Sequence, residues 1–243
     1  MRDDQLLRYS RHILLPQLDV EGQERLLAAK VLVVGAGGLG SPVILYLAAS
    51  GVGELIVVDD DAVELSNLQR QIAHQSGRIG VNKALSAGES ARALNPDVVC
   101  HAIEARLSDA QAAQWIAKVD VVVDCTDNLA SRLQINRLCY QLAVPLVSAA
   151  AIGTEGQLLV VDSRAGSPCY QCLYDENTEL QLNCAESGVL APVVGVLGAL
   201  QALETIKVLS HAHETGVLHL WDAWAGQWQR LSFAQRPDCP VCG

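Results

Sequence analysis

The sequence predicts a doubly wound α/β fold, a mostly parallel sheet lengthened toward its C-terminal side by antiparallel strands. Three observations carry this reading. Short aliphatic runs alternate with helical stretches as far as residue 150, a glycine-rich turn GAGGLG follows the first run, and two late aliphatic runs succeed one another with no helix between them. Near-continuous Val, Ile and Leu strands separated by helices belong to parallel sheets covered on both faces. Consecutive strands without a crossover helix pair antiparallel.

The elements follow in order. Leu6 to Leu27 is amphipathic and helical in character, interrupted at Pro16, and is expected to pack outside the sheet or reach to a second subunit. Strands are expected at KVLVVG (30–35), ELIVVD (54–59), DVVCHAI (97–103), DVVVDC (120–125) and VPLVSAA (144–150). QLLVVDS (157–163), GVLHLWD (216–222) and QWQRLSF (227–233) form the antiparallel part. Between them, 192–209 reads as a helix with Pro192 in its first turn. Its apolar residues run nearly all the way round, which implies burial in a core or across a dimer interface. The stretch 174–188 is the one long polar loop, and loops of that length are commonly functional.

With 243 residues, half of them hydrophobic, the chain can bury one large core, and it divides into a helical arm (1–28), a nucleotide-binding core (29–150) and a C-terminal part (151–243). A net charge of −10 argues against nucleic acid or an anionic membrane as the main partner, so any bound anion needs a local site. The N-terminus has no secretory pattern, and no apolar run of membrane-spanning length is uninterrupted, so a cytoplasmic location is expected. The six histidines, His74 among them, form no metal or triad spacing, and His211 and His213 are expected to face solvent.

The chemistry is concentrated at strand ends. In GAGGLG, Gly35, Gly37, Gly38 and Gly40 allow a sharp turn out of a strand and close approach of a phosphate to the amides at the following helix start. Asp59 ends the next strand, where a carboxylate accepts hydrogen bonds from ribose hydroxyls. Asp60 and Asp61, by position alone, read as solvated or helix-start acids. Dehydrogenases share these features. The polar segment that follows separates the chemistries, because Asn67, Arg70, Gln71 and Lys83 bring two cations that hydride transfer does not need and a triphosphate does. In DCTDN the carboxylate of Asp127 suits either magnesium beside a phosphate or the cap of the next helix. CYQC and CPVC supply two matched thiolate pairs, Cys169 with Cys172 and Cys239 with Cys242, and four sulfurs close a tetrahedral structural zinc shell; a redox dithiol is the alternative. Cys100, Cys125 and Cys139 lie in apolar patterns and read as core residues.

Taken in order, GAGGLG, VDDDAVELSNLQRQ, Lys83, DCTDN, the two cysteine pairs and GVLAPVVGVLGALQALETIK resemble the ThiF/MoeB/HesA family, bacterial relatives of ubiquitin-activating enzymes, from roughly Tyr9 to Gly243. The resemblance implies a Rossmann-like, homodimeric adenylyltransferase. It would use ATP and Mg2+ to adenylate the C-terminal glycine of a ubiquitin-like sulfur carrier ending in Gly-Gly. It would work with a sulfur donor such as a cysteine desulfurase or a rhodanese-like protein. Carried onto this chain, it implies that the glycine turn and Asp59 hold the nucleotide, that Asn67, Arg70 and Lys83 bind phosphates, and that Asp127 ligates magnesium. Asp61, Ser66, Leu68, Gln69 and Asn128 fall in the same motifs and are expected at the nucleotide; Arg11 would reach into the neighbouring subunit's site. The C-terminal part would bind the carrier and hold the zinc.

The triple acid, the NPD at 95–97, QALETIKVLS and the terminal CPVCG lean toward the thiamine branch of the family, with the molybdopterin branch as alternative. A nicotinamide oxidoreductase would leave Arg70 and Lys83 without a role, and a non-catalytic scaffold would not need them. Cys184 stands where the family carries a cysteine linked to the activated carrier, although Asp175, Glu176, Glu179 and Glu186 nearby oppose a reactive thiolate. A place after adenylation makes a clear prediction: Cys184→Ser keeps ATP–pyrophosphate exchange near the wild-type rate while losing any covalent carrier adduct by mass spectrometry. Loss of exchange in a folded variant contradicts it.

Overall fold

The computed structural model describes residues 1–174 and 188–243. Three short helices open the chain, α1 (Asp3–Arg8), α2 (Ser10–Ile13) and α3 (Asp19–Ala28). Pro16 sits in the turn between α2 and α3, where a missing N–H costs nothing. The arm packs on the domain. Leu26 is fully buried in the core, and the Tyr9 hydroxyl, almost wholly covered, accepts a hydrogen bond from Asn95 Nδ2 at 2.9 Å.

β1 (Lys30–Val34), β2 (Glu54–Val58), β3 (Val99–Ile103), β4 (Val121–Asp124) and β5 (Leu146–Ile152) run parallel. β6 (Glu155–Val161), β7 (Val217–Asp222) and β8 (Gln227–Ser232) continue the sheet antiparallel, giving the order β3-β2-β1-β4-β5-β6-β7-β8. The expected architecture is therefore the observed one. β6 starts at Glu155, two residues earlier than its apolar run, because the tight turn at Gly153 lets Glu155 pair with Ile152. β3 starts two residues later than expected, since a residue before proline is held extended and Pro96 keeps the chain in a turn.

α4 (Gly40–Ala49), α5 (Lys83–Leu94) and α8 (Ala191–Leu209) cover one face of the sheet; α6 (Asp109–Ile116) and α7 (Leu129–Gln141) cover the other. Val31 and Val33 face the first layer, Leu32 the second, and all three are fully buried, which is why β1 is apolar without alternation. Among the described residues α8 alone is long and apolar enough to cross a membrane, yet 56% of its apolar window is buried inside the fold, against α4, β5 and β6. Val196 and Leu203 stay exposed on its outer face. His213 does not face solvent: its Nε2 lies 3.1 Å from Oδ2 of the buried Asp162.

Helix α8 also ties the strand ends together. Gln201, fully buried, donates from Nε2 to the carbonyls of Asp124 at 2.8 Å and Val147 at 3.4 Å, and its Oε1 accepts from Cys125 Sγ at 3.6 Å. An apolar replacement removes this side-chain donor from both carbonyls. Gln201→Leu should cost about 1–3 kcal/mol, read as a lowered urea midpoint at unchanged slope; an unchanged midpoint removes the clamp from the account.

Candidate functional site

Winding begins at β1, runs outward to β3, then reverses through β4, so the carboxyl ends of β1 and β4 flank a switch point, where open α/β sheets bind ligands. A cleft of about 390 Å³ lies there. Gly35 turns the chain at φ +96°, and a Cβ on it would stand 2.7 Å from the Cys125 carbonyl oxygen; one on Gly40 would collide with the Gly35 carbonyl. Only glycine permits this path. Gly37 and Gly38 line the cleft, and their amides have no acceptor among the described residues.

Asp59 closes the turn from β2. Its Oδ2 accepts the Ala36 amide at 2.7 Å and its Oδ1 the Asp61 amide at 2.9 Å. Burial nonetheless pushes its carboxyl above the usual range, against these bonds and nearby Lys83. Lys83, 7% exposed, stands in the first turn of α5, where the helix dipole disfavours a cation. Its Nζ is held 2.7 Å from Asp61 Oδ2. Asn82 builds this corner: its Oδ1 caps the amides of Ala84 and Leu85, while its Nδ2 donates to the carbonyls of Asp59 and Asp61. Arg70 enters the cleft from the turn after residues 65–67, where the Asn67 carbonyl accepts the amides of Arg70 and Gln71. Gln71 lines the cleft too, and its buried Oε1 has no partner among the described residues.

On the β4 side, fully buried Asp124 accepts from the Thr126 amide, the Thr126 hydroxyl and the Ser148 hydroxyl at 2.7–3.0 Å. These bonds fix the loop that presents Asp127 to the cleft. The cap of α7 is Asn128, whose Oδ1 accepts the Ser131 amide at 3.0 Å. Asp127 is thus exposed, touched only by Asn128 Nδ2 at 3.3 Å and without an ion-pair partner among the described residues. Arg132, 6% exposed, donates to the Thr126 carbonyl at 2.8 Å and braces the same loop.

Of the residues singled out by sequence, Gly35, Gly37, Gly38, Asp59, Asp61, Arg70, Lys83, Asp127 and Asn128 line this cleft. Gly40 is the helix start behind it; Ser66, Asn67, Leu68 and Gln69 form the turn that projects Arg70 and do not themselves line it. Arg11 is exposed on α2 and does not line the cleft of its own chain. Cys184 lies outside the described residues. Sequence reasoning missed His74, Asn82, Arg106 and Arg132; the one available signal was a lysine in a helix's first turn, which asks for compensating neighbours.

Cys169, Cys172, Cys239 and Cys242 converge at the far side of α7, their sulfurs all within 4.8 Å of one another. Contacts of 3.6 Å (Cys169–Cys239) and 3.3 Å (Cys172–Cys242) are far longer than a disulfide and near the roughly 3.8 Å edge of a tetrahedral zinc–thiolate shell. Burial acts to raise Cys239, but the amides of Val241 and Cys242, together with hydrogen bonds from the Cys242 and Cys169 thiols, overcome it and bring the thiol down to about 7. Tyr170, inside the first pair, donates its amide to Asn136 of α7 at 2.9 Å, so the cluster is docked on the helix that starts at the cleft.

A doubly wound domain whose switch point gathers glycine-turn amides unpaired among the described residues, the acid Asp59, the cations of Arg70 and Lys83 and the exposed carboxylate of Asp127 is defined as a nucleotide-binding protein by fold and site together. The chain belongs to the ThiF family, which it matches over residues 9–241. It is 46% identical to the Sulfur carrier protein ThiS adenylyltransferase of Escherichia coli, over 100% of this chain and 97% of that protein. It is 44% identical to the Molybdopterin-synthase adenylyltransferase of Salmonella typhimurium, over 100% of this chain and 98% of that protein. Among solved structures it resembles E. coli MccB crystallised with MccA-N7isoASN, at a TM-score of 0.84 and 25% identity, over 98% of this chain and 74% of that one.

The site carries a pH signature. Burial, with Lys83 and Arg78 nearby, holds His74 below its ordinary 6.5, although the Ala36 carbonyl works the other way. The folded state then binds fewer protons than the unfolded state below about pH 6.5, so this contribution is complete above 6.5 and is lost as pH falls from there toward the depressed value. His219 is lowered as well and acts in the same direction. Urea midpoints between pH 7.5 and 5.5 should therefore fall more steeply for the wild type than for His74→Gln, and parallel slopes contradict it.

Proposed function

We propose that this chain transfers AMP from ATP to the C-terminal glycine carboxylate of a small ubiquitin-like sulfur carrier ending in Gly-Gly, releasing pyrophosphate. One observation carries the reading: Arg70, Lys83 and Asp127 come together around the glycine turn in a chain that aligns end to end with named carrier adenylyltransferases. A carrier carboxylate oxygen attacks the α-phosphorus in line, the bond from that phosphorus to the bridging oxygen breaks, and pyrophosphate departs. No protein nucleophile is required, so positioning and charge neutralisation supply the rate.

The residues divide the work. Amides of Gly37 and Gly38 hold phosphate oxygens, with Gly35 and Gly40 shaping the turn, and Asp59 takes the ribose. Arg70 and Lys83 neutralise the charge that grows on departing pyrophosphate. Asp61 keeps Lys83 in place until phosphates compete for it. Ser66, Asn67, Leu68 and Gln69 set Arg70, while Asn128 flanks Asp127. Asp127, lacking a cationic partner among the described residues, is the group that would hold magnesium, which when bound shields phosphate charge. The four cysteines fit structural zinc by donor type and spacing. Residues 29–150 serve the nucleotide, and 151–243 serve the carrier and the metal.

The active unit is a homodimer in which Arg11 enters the partner's cleft; exposed Arg11 and the uncovered Val196 and Leu203 of α8 support this. Cys184 acts later, when sulfur arrives from a cysteine desulfurase or a rhodanese-like protein. The reaction is placed in the cytoplasm. Thiamine synthesis is the favoured pathway on the sequence features that lean that way. Identities of 46% and 44% to the two branches leave molybdopterin synthesis as the alternative.

The test is ATP–pyrophosphate exchange with each candidate carrier. Arg70→Ala and Asp127→Ala should each lower exchange by about a hundred-fold or more with the dimer intact by light scattering; near-normal exchange removes them from the site. Zinc should be found at one equivalent per chain, and a strong chelator should speed proteolysis around residues 169–172 and 233–243 before it lowers the global melting temperature. Uniform loosening, or no bound zinc, contradicts the metal assignment.

A further inference from the structure

The glycine turn has a weakness built into it. Gly37 and Gly38, separated from Gly35 only by Ala36, have no side chains to hinder rotation, and such segments exchange between peptide orientations easily. A flip of the Ala36–Gly37 peptide would turn a carbonyl oxygen toward the place where phosphate oxygens must sit, replacing attraction with repulsion. Something has to hold that peptide.

Both backbone groups of Ala36 are held. Its N–H donates to Asp59 Oδ2 at 2.7 Å, and its carbonyl oxygen lies 2.8 Å from His74 Nε2. His74 is 6% exposed, and its other ring nitrogen, Nδ1, lies 2.9 Å from Ser86 Oγ, a fully buried hydroxyl one turn beyond Lys83 on α5. A carbonyl can only accept, so Nε2 must carry the proton. With the ring neutral, Nδ1 accepts from the Ser86 hydroxyl, which fixes the tautomer. The Ala36–Gly37 peptide is trans and planar, so its C=O and N–H point in opposite directions. Drawing the Ala36 carbonyl toward His74 turns the Gly37 N–H the other way. Gly37 lines the cleft, and its amide has no acceptor among the described residues.

We propose that His74, as its neutral Nε2–H tautomer held by Ser86, is a positioning residue that locks the Ala36–Gly37 peptide so that the Gly37 amide meets a nucleotide phosphate. The same ring couples the glycine turn to the helix that carries Lys83, so the amide and the ammonium are placed by one side chain. His74 touches no reacting atom. The inference rests on the nucleotide reading above and adds to it a specific expectation, that the effect is confined to ligands bearing phosphates.

The test compares ATP with Mg2+ and adenosine, by calorimetry, across wild type, His74→Phe, His74→Gln and Ser86→Ala. His74→Phe should raise the Kd for ATP by about ten-fold or more and leave that for adenosine within about two-fold. His74→Gln, whose amide nitrogen can donate to the Ala36 carbonyl, should recover most of the loss. Ser86→Ala should weaken ATP by a few-fold and, in ¹⁵N spectra of the imidazole, convert a single Nε2–H tautomer into a mixture. If His74→Phe does not fold, the glutamine and alanine variants and the ring spectrum carry the test. Equal losses for ATP and adenosine, ATP affinities unchanged in the variants, or an Nδ1–H tautomer in the wild type overturns the inference. Failure of the wild type to bind ATP at all sinks the nucleotide reading and this inference with it, whereas variants matching a wild type that does bind sink this inference alone.

Discussion

The site depends on the register of three neighbouring strands. Val34 of β1 stands level with Val58 of β2 and Asp124 of β4, so the next residues, Gly35, Asp59 and Cys125, leave the sheet in one tier. At that tier Gly35 lies so near the Cys125 carbonyl that no side chain fits, and the Gly35 carbonyl in turn leaves no room for a Cβ on Gly40. The turn, Asp59 and the loop bearing Asp127 are therefore one backbone arrangement. A register shift in β1 or β4 would dismantle all of it, since a one-residue slip reverses the faces to which the strand's side chains point.

Charge is handled locally. A chain of net charge −10 cannot attract a nucleotide by its overall field, so the cations are placed at short range. Lys83 is buried in an unfavourable position at the positive end of a helix, and Asp61, well exposed, offsets it. An exposed carboxylate on a buried ammonium is a replaceable partner. Asp124 is the opposite case, a buried carboxylate with every oxygen engaged by neutral donors, and it serves the backbone.

Much of this was legible in the sequence because it is periodic or depends on residue type. Apolar runs such as KVLVV and DVVVD are continuous where strands are covered on both faces; the glycines, Asp59 and Asp127 are chemically distinctive just after strand ends, and Arg70 and Lys83 are cations in the polar segment that follows β2. The thiolate pairs were legible for the same reason, and the structure brings them together from segments 70 residues apart. What stayed hidden is the polar scaffolding. Gln201 acts on carbonyls 54 and 77 residues away, and His74 on one 38 residues away. Neither lies in a pattern that marks such a partner, because a lone polar residue announces its burial only once the fold is known. Asp127 was ambiguous between a cap and a ligand until Asn128 proved to be the cap.

The central claim is that the amides of the glycine turn receive the phosphates of a nucleotide. Titrating Mg·ATP into ¹⁵N-labelled protein and following amide shifts tests this most directly. The account predicts that the largest shifts fall on Gly37 and Gly38, with smaller ones at Asp61 and Arg70, and that adenosine fails to reproduce the glycine shifts. Glycine-turn amides that do not move while resonances elsewhere respond would contradict it.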